Sequence, residues 1–480
     1  MDSEKQYAYT LLNNAYYGTG LFSVGRGLTR HPRESLPNYN FRKKLAYYLN
    51  YTGPIVNASV DPIFRDEIRR EYNNTEKFRV FLEDVDRKGT NLQEYIRQQA
   101  TLAKLYGVVY ILVNNAEQFG ETVADNIKNR ALPYLVSVEP RMITDWQFDD
   151  KGILIKFAYK DVIYNADNVA KTRYYIWTLS DWQILNESKQ PIVSGTHNLG
   201  RIPVVQWFGR SAKKTDILPP PEFLSIAQTN YHIYHLCSLL TQILNNQTFS
   251  VLTMPSDSND LDITLGTNNM LLYPQDSNHA PSFIAPDKGP AEVLMSQIDR
   301  LIKEMYRMSG INSLVGVEST KSGVAKQWDF ERTNQRLADF SVQCEEAEID
   351  IIGLYEQWAN ERIGYKCEYP RDFKINDIAD SLSQAQQALD LGFNSDTFKG
   401  EVGKKVLEAY MPNLESDTYE AIVDEIEESL NDAAEGAAFG RGGVGDGFNK
   451  DGQSNSSLRG ADKGPFGEGY DSAAGSSGGV

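Results

Sequence analysis

An α+β architecture in more than one domain is what this sequence predicts, and three observations carry that reading. Between residues 107 and 208, β-branched and aromatic runs follow one another with turn residues between them and no helical crossovers, the pattern of antiparallel strands rather than βαβ units. A triple proline, Pro219-Pro220-Pro221, then closes the region, because proline fixes φ and lacks the donor a helix or sheet needs. Beyond it the period changes to that of amphipathic helices. At 480 residues the chain is long enough for two or three domains with their own cores.

Taken in order, Tyr7 to Leu21 and Phe41 to Tyr51 read as aromatic-rich helices. Asn91 to Tyr106 is a helix with Leu92, Tyr95, Ile96 and Leu102 on its apolar side, stopped by Gly107. The run GVVYILVNN (107–115) predicts a buried strand. PYLVSVEP (133–140), ITDWQF (143–148), ILIKFAY (153–159), RYYIWTL (173–179) and RIPVVQWF (201–208) complete a set of five or six strands, with DDKG (149–152) as a hairpin turn. A Rossmann-type nucleotide fold is not expected from this order.

After the prolines, Glu222 to Asn245 predicts a helix with Ile226, Ile233, Cys237, Leu240 and Leu244 on one face. Residues 249–288 break into short strands and turns. A second helix, Ala291 to Met308, sets Leu294, Ile298, Leu301, Met305 and Met308 at alternating steps of four and three. A glycine-punctuated stretch follows, and then the most regular feature of the chain: Leu337, Phe340, Cys344, Ala347, Ile351, Leu354 and Trp358 in an unbroken three-four spacing. A helix over 326–362 would be about 55 Å long. Such a rod packs along a neighbouring element of its own domain or along a neighbouring subunit. Residues 378–430 read as three short helices, the last an acidic stretch (415–430) with Asp417 and Glu420 placed for a capping box. From Gly440 onward 13 of 41 residues are glycine, a composition read as disordered.

Composition removes several function classes. A net charge of −17 argues against tight, non-specific gripping of nucleic acid through phosphates, though not against a surface that DNA slides past. Three widely spaced cysteines, Cys237, Cys344 and Cys367, fit neither a disulfide framework nor a zinc finger. Neither a signal peptide nor a membrane-spanning run is expected. In VGVESTKSGVAKQ (315–327), Gly316 and Lys321-Ser322 mimic a phosphate-binding loop, but Thr320 stands where its second glycine belongs and the segment follows a helix, not a strand. His232 and His235 are one helical turn apart without further ligands, and no G-x-S-x-G occurs. No catalytic residue, cofactor or metal is expected.

The order of elements, over about residues 40–430, resembles the portal proteins of tailed bacteriophages. Three motifs carry the resemblance. EPRMITDWQFDDKGILIKFAY is similar to the Pro-x-x-Ile-x-x-Trp strand and hairpin of the portal wing. NLGRIPVVQWF is similar to the strand that closes the wing before the first stem helix. KSGVAKQWDFERTNQRL resembles the Ser-Gly-x-Ala start of the long helix that follows the tunnel loop.

The resemblance implies a portal fold: a wing over 1–219, a first stem helix over 220–248, a clip over 249–288 and a second stem helix over 289–309. A tunnel loop over 310–324, a long helix with its return to the wing over 325–375, a helical crown over 376–438 and the Gly-rich tail over 439–480 would follow. It implies a non-enzymatic head-tail connector in the virion, a homo-oligomeric ring of about twelve subunits at the unique capsid vertex, assembled in the host cytoplasm. Its partners would be double-stranded DNA in the channel, the terminase large subunit, the major capsid and scaffold proteins and a head-tail adaptor, with no membrane. In the loop, Gly310, Gly316 and Gly323 would give mobility, Lys321 a phosphate contact, Glu318 a repeller, and Leu314 and Val315 an apolar touch on the duplex or a neighbouring loop. The seam of Leu337, Phe340, Cys344, Ile351, Leu354 and Trp358 would pack subunits together. Two other classes stay open: a nucleotide-binding enzyme using 316–322, and a coiled-coil scaffold or other virion ring component built on the seam.

Overall fold

The computed structural model describes residues 3–115, 122–164, 167–248, 251–255, 270–273, 280–284, 287–310, 323–373, 378–391, 395–411, 414, 418–426 and 428–429. Helix α1 (Ser3–Tyr17) stops four residues short of the expected Leu21, because Gly18 and Gly20 both take the left-handed conformation and the chain tightens into a 3-10 turn at Gly20–Phe22. The helix expected over 41–51 lies earlier, as α2 (Leu36–Leu45): Ser35 caps it by accepting from the Asn38 N–H, and Pro37 sits in the first turn. It ends at Leu45 because the following backbone is held from outside. The Asn230 side chain donates to the Leu49 carbonyl and accepts from the N–H groups of Tyr51 and Thr52. Helix α3 (Thr52–Ala58) follows.

Strand β1 (Arg69–Glu71) and helix α4 (Glu76–Glu83) precede α5 (Leu92–Tyr106), whose ends are those expected: Asn91 accepts from the Glu94 N–H, and Gly107 terminates it at φ 85°. Then come β2 (Val108–Asn114), α6 (Val123–Lys128), β3 (Tyr134–Val138), β4 (Ile143–Phe148), β5 (Leu154–Tyr164), β6 (Ala170–Thr178), β7 (Asp181–Leu185), β8 (Pro191–Thr196) and β9 (Val204–Phe208). The hairpin at 149–152 forms as read, with the Asp149 carboxylate accepting from the N–H groups of Lys151 and Ile153.

These strands make two sheets, not one. A three-stranded antiparallel sheet runs β3-β2-β9, and β4 to β8 form a five-stranded antiparallel meander. At the centre of the three-stranded sheet lies β2. Its side chains alternate by the period of two that a strand imposes: Val108, Tyr110 and Leu112 enter one core with α1, α7 and the inner ends of the meander, and Val109, Ile111 and Val113 enter another with α5 and the long helix. The three-stranded sheet is thus buried on both faces, while the far strands of the meander, β7 and β8, are largely exposed. Two of the meander strands, β7 and β8, were not expected.

Helix α7 (Leu224–Thr248) leads to β10 (Val251–Pro255), β11 (Met270–Tyr273) and β12 (Ser282–Ile284), a small sheet in which β10 pairs parallel with β11 and antiparallel with β12. Helix α8 (Gly289–Ser309) returns from it. Helix α9 (Gly323–Ala359) has 37 residues, about 55 Å at 1.5 Å per residue. Strand β13 (Lys366–Glu368) pairs antiparallel with β1, and α10 (Ile378–Asp390) and α11 (Asp396–Tyr410) pack on each other. The glycine-rich segment from Gly440 lies outside the described residues.

The three-four seam of α9 is filled from within the chain. Leu337, Phe340, Cys344, Ala347, Ile351 and Leu354 are all at most 4 % exposed in the core they share with α5, β2 and β9, and the half-buried Trp358 donates its indole N–H to the Val113 carbonyl at 2.7 Å. Side chains so fully covered by their own chain present no surface to another copy, so the assignment of this seam to subunit packing is corrected to the core-helix alternative.

Candidate functional site

The residues singled out between 310 and 324 fall at the junction of α8 and α9. Gly310 ends α8 in the left-handed conformation at φ 71°, and a Cβ there would stand 2.1 Å from the Arg336 guanidinium. That closeness has a use. Arg336 donates to the Ser309 carbonyl and Thr333 donates to the Gly310 carbonyl, both at 2.8 Å, so the free carbonyls at the end of α8 are taken by side chains of α9. Gly323 is the first residue of α9. Leu314, Val315, Gly316, Glu318 and Lys321 lie outside the described residues. The departure point of this segment is therefore pinned to the flank of the long helix that it later joins.

Beside the junction an open cleft of about 460 Å³ is lined by Lys104, Arg210, Glu222, Arg336, Asp339 and Phe340 among others. Lys104 is nearly buried, and its ammonium group is fully employed: it pairs with Glu222 at 3.0 Å, donates to the Gly209 carbonyl at 3.1 Å and lies 4.9 Å over the Phe340 ring. A lysine held this way joins the start of α7 to α5 and α9. Burial pushes the nearby Cys344 thiol well up, the reverse of what a reactive cysteine needs.

Of the histidines noted in the sequence, His232 is exposed and His235 is engaged elsewhere. His235 stacks edge-on against Tyr231 at 4.8 Å, and burial followed by the Arg42 charge lowers its pKa. Among the described residues no group of three His, Cys, Asp or Glu is placed to hold a metal ion, and no helix is long and apolar enough to cross a membrane.

Two buried polar clusters escaped the sequence reading. On α9, Glu348 is fully buried and receives the Arg70 guanidinium at 2.7 and 3.2 Å together with the hydroxyls of Tyr365 and Tyr369. Burial works against the Arg70 charge, but Glu348 outweighs it and holds the pKa above its ordinary value. On α2, the buried Arg42 donates to Glu34, to the Thr29 carbonyl and to Ser238 of α7; the Arg42 hydrogen bonds in turn hold the Glu34 carboxyl below the usual range. The one signal available for the first cluster was a glutamate standing beside Ala347 within an otherwise apolar seam; its partner Arg70 is 278 residues away.

The two helices flanking the small sheet form a hairpin. The last turn of α7 touches the entry to α8, where Gln247 donates to the Asp287 carbonyl at 2.9 Å. At the other end Ile226, Ile233 and Cys237 of α7 share a core with Ile298 and Met305 of α8. Toward the small sheet the pair leaves apolar side chains uncovered, with Leu244 46 % and Val293 69 % exposed. The pair thus leaves the body, carries the small sheet at its tip and returns to α9.

No protein-family model matches this sequence, and no curated protein is similar to it. By structure it is similar to a chain described as belonging to the neck of an empty GTA particle computed with C6 symmetry, with a TM-score of 0.41 and 11 % identity, over 81 % of this chain and 99 % of that one. Over so distant a match neither a fold nor a role is transferred.

Proposed function

We propose that this chain is the subunit of a portal-type ring, a DNA conduit between head and tail of a phage-like particle. The observation that carries the reading is the order of the described elements: an α/β body, a helix leaving it, a small sheet at the tip, a helix returning, and the long helix α9 beginning twelve residues further along the chain. In that reading the body is the wing, α7 and α8 the stem, the small sheet the clip that meets the terminase motor, and 310–324 the loop that faces DNA. The pinned Gly310 end suits a loop that must extend from a fixed rim. Hydrolysis of ATP would belong to the motor, and the chain itself would be structural.

Apolar residues on the outer half of the α7/α8 hairpin fit this arrangement, since stems crowd together around a channel. The acidic net charge fits a lumen that does not hold phosphates. Negative-stain electron microscopy of the purified chain tests the proposal. Rings of about twelve subunits with a hole wide enough for a duplex are expected, as is the absence of signal in a titration with a fluorescent ATP analogue. A monomer that binds the analogue, and loses it in Lys321→Ala, would overturn it in favour of a nucleotide-binding enzyme.

A further inference from the structure

One face of the molecule is charged against the rest. Residues 5–60 hold seven Lys or Arg and a single acidic residue, in a chain of net charge −17. That one acid, Glu34, is already taken by the buried Arg42. Arg42 is what builds the face: its bonds to Glu34, the Thr29 carbonyl and Ser238 fold the 26–34 loop onto α2 and fasten both to α7. Tyr39 adds a bond to the Leu28 carbonyl, and Tyr231 of α7 one to the Gly27 carbonyl. The helix beneath, α7, contains no charged side chain at all.

Arg26, Arg30, Arg33 and Lys44 are exposed on this platform, and among the described residues none has an ion-pair partner. Exposed Phe41 and Leu45 lie beside Lys44.

A complementary face exists on the same molecule. On α9, Asp339, Glu346 and Asp350 form a stripe of helical spacing turned away from the buried seam. They too have no ion-pair partner among the described residues, and Ile349, 44 % exposed, lies beside them. The two faces belong to different sides: α7 packs in the core on one side of the β3-β2-β9 sheet and α9 in the core on the other. From this we infer that the basic face at Arg26, Arg30, Arg33 and Lys44 docks on the acidic stripe of α9 in a second copy of this chain.

Charge decides the symmetry of the contact. A two-fold pairing of like faces would set cations against cations, whereas a head-to-tail contact sets cations against carboxylates and apolar Phe41 and Leu45 near Ile349. Head-to-tail contacts propagate into closed rings or open chains. The inference therefore deepens the ring reading and rests on it only for closure. Duplex DNA would satisfy the four cations but would leave Phe41 and Leu45 without a partner.

The test uses full-length chains with opposite charge reversals. R30E/K44E cancels the charge of the four named basic positions, and E346K/D350K turns the three named acidic positions from −3 to +1. Circular dichroism confirms that these exposed changes leave the fold intact. In sedimentation velocity at low salt, the wild type self-associates, each variant alone associates about tenfold or more weakly, and an equimolar mixture of the two recovers the wild-type distribution. Raising the salt weakens association of the wild type and of the mixture alike.

Variants that associate like the wild type overturn the inference, as do a mixture that stays apart and a wild type that never self-associates. Loss of duplex-oligonucleotide binding in R30E/K44E, with no recovery on mixing, replaces the second copy with DNA. Electron microscopy separates the two readings: open chains abolished by R30E/K44E would support the head-to-tail contact while refuting the ring, and rings insensitive to both reversals would do the opposite.

Discussion

The long helix α9 and the hairpin of α7 and α8 are built on similar apolar spacings and end in opposite states. On α9 every seam residue from Leu337 to Leu354 is covered by α5 and the three-stranded sheet. On the hairpin the same spacing is covered only in part. Ile226, Ile233, Cys237, Ile298 and Met305 are buried, but Leu244 and Met308, on the same spacing, are exposed. Two paired helices can cover only one stripe on each other, whereas a helix laid on a sheet and flanked by another helix can bury a wide face. A three-four repeat therefore announces that an apolar stripe exists and does not say what covers it. The body is packed to stand alone, and the outer hairpin is packed as far as two helices can manage.

The sharpest break of this comparison lies in the charged heart of the body. In Glu348→Ala, the Arg70 guanidinium stays buried without its counter-charge, and the hydroxyls of Tyr365 and Tyr369 lose their acceptor. Removing one partner of a buried ion pair costs about 3–5 kcal/mol, and urea denaturation followed by tryptophan fluorescence should show a loss of that size. A cost near that of a surface change would mean that β1 and β13 are held to α9 by apolar contact alone.

Next in size is Leu354→Ala, which opens a cavity against β2 and α5 and should cost about 2–5 kcal/mol. The same truncation at Leu244, by contrast, should change the stability of the isolated chain by no more than about 0.5 kcal/mol. The pair of measurements, made on one denaturation scale, is a direct reading of which helix relies on its own chain.

Alkaline pH separates the two regions in another way. Burial, and then the charge of Glu348, pushes the Tyr365 and Tyr369 hydroxyls well above their ordinary range. Their folded pKa exceeds the unfolded value of about 10, so the unfolded chain releases these protons first. Their contribution is fully present below about pH 10 and is lost as the pH rises past it. Unfolding free energies measured across this range should fall with pH, and in Tyr365→Phe the fall should be shallower by about 1.4 kcal/mol per pH unit, the worth of one proton. An unchanged slope would place the titration in the other buried tyrosines of the body, such as Tyr9, Tyr48 and Tyr106.

What the sequence made legible is what local chemistry decides. Asn91 and Gly107 bound α5 by their own cap geometry, Asp149 makes its hairpin from within four residues, and the period of α9 is uninterrupted. The division of the strands into two sheets was not legible, because it depends on long-range pairing, β2 with β9 across some ninety residues of chain, that local sequence does not encode. Strands β7 and β8 were missed because their exposed, polar-rich residues carry little apolar alternation. Helix α2 was displaced because its end is set by Asn230, far along the chain. The candidate site divides the same way: the glycines at 310 and 323 mark helix ends that local sequence announces, while the Arg336 and Thr333 contacts that pin Gly310 are tertiary. The cationic platform was invisible for a simpler reason, since a net charge averages over faces that only folding separates.

The smallest effect on the lone chain is the one that best tests why the hairpin leaves residues uncovered. Val293 is 69 % exposed on α8 and Leu244 46 % exposed on α7. Replacing both with serine removes apolar surface from water, so the chain by itself should be unchanged within about 0.5 kcal/mol. If neighbouring copies cover these side chains, the same double variant should lose the contribution of their burial, about 1.5–3 kcal/mol for each side chain fully covered, and rings seen by electron microscopy should become fewer or require higher protein concentration. Unaltered assembly would show that the outer hairpin is left bare by the neighbouring copies, and would turn attention to an adaptor or motor as the surface that covers it.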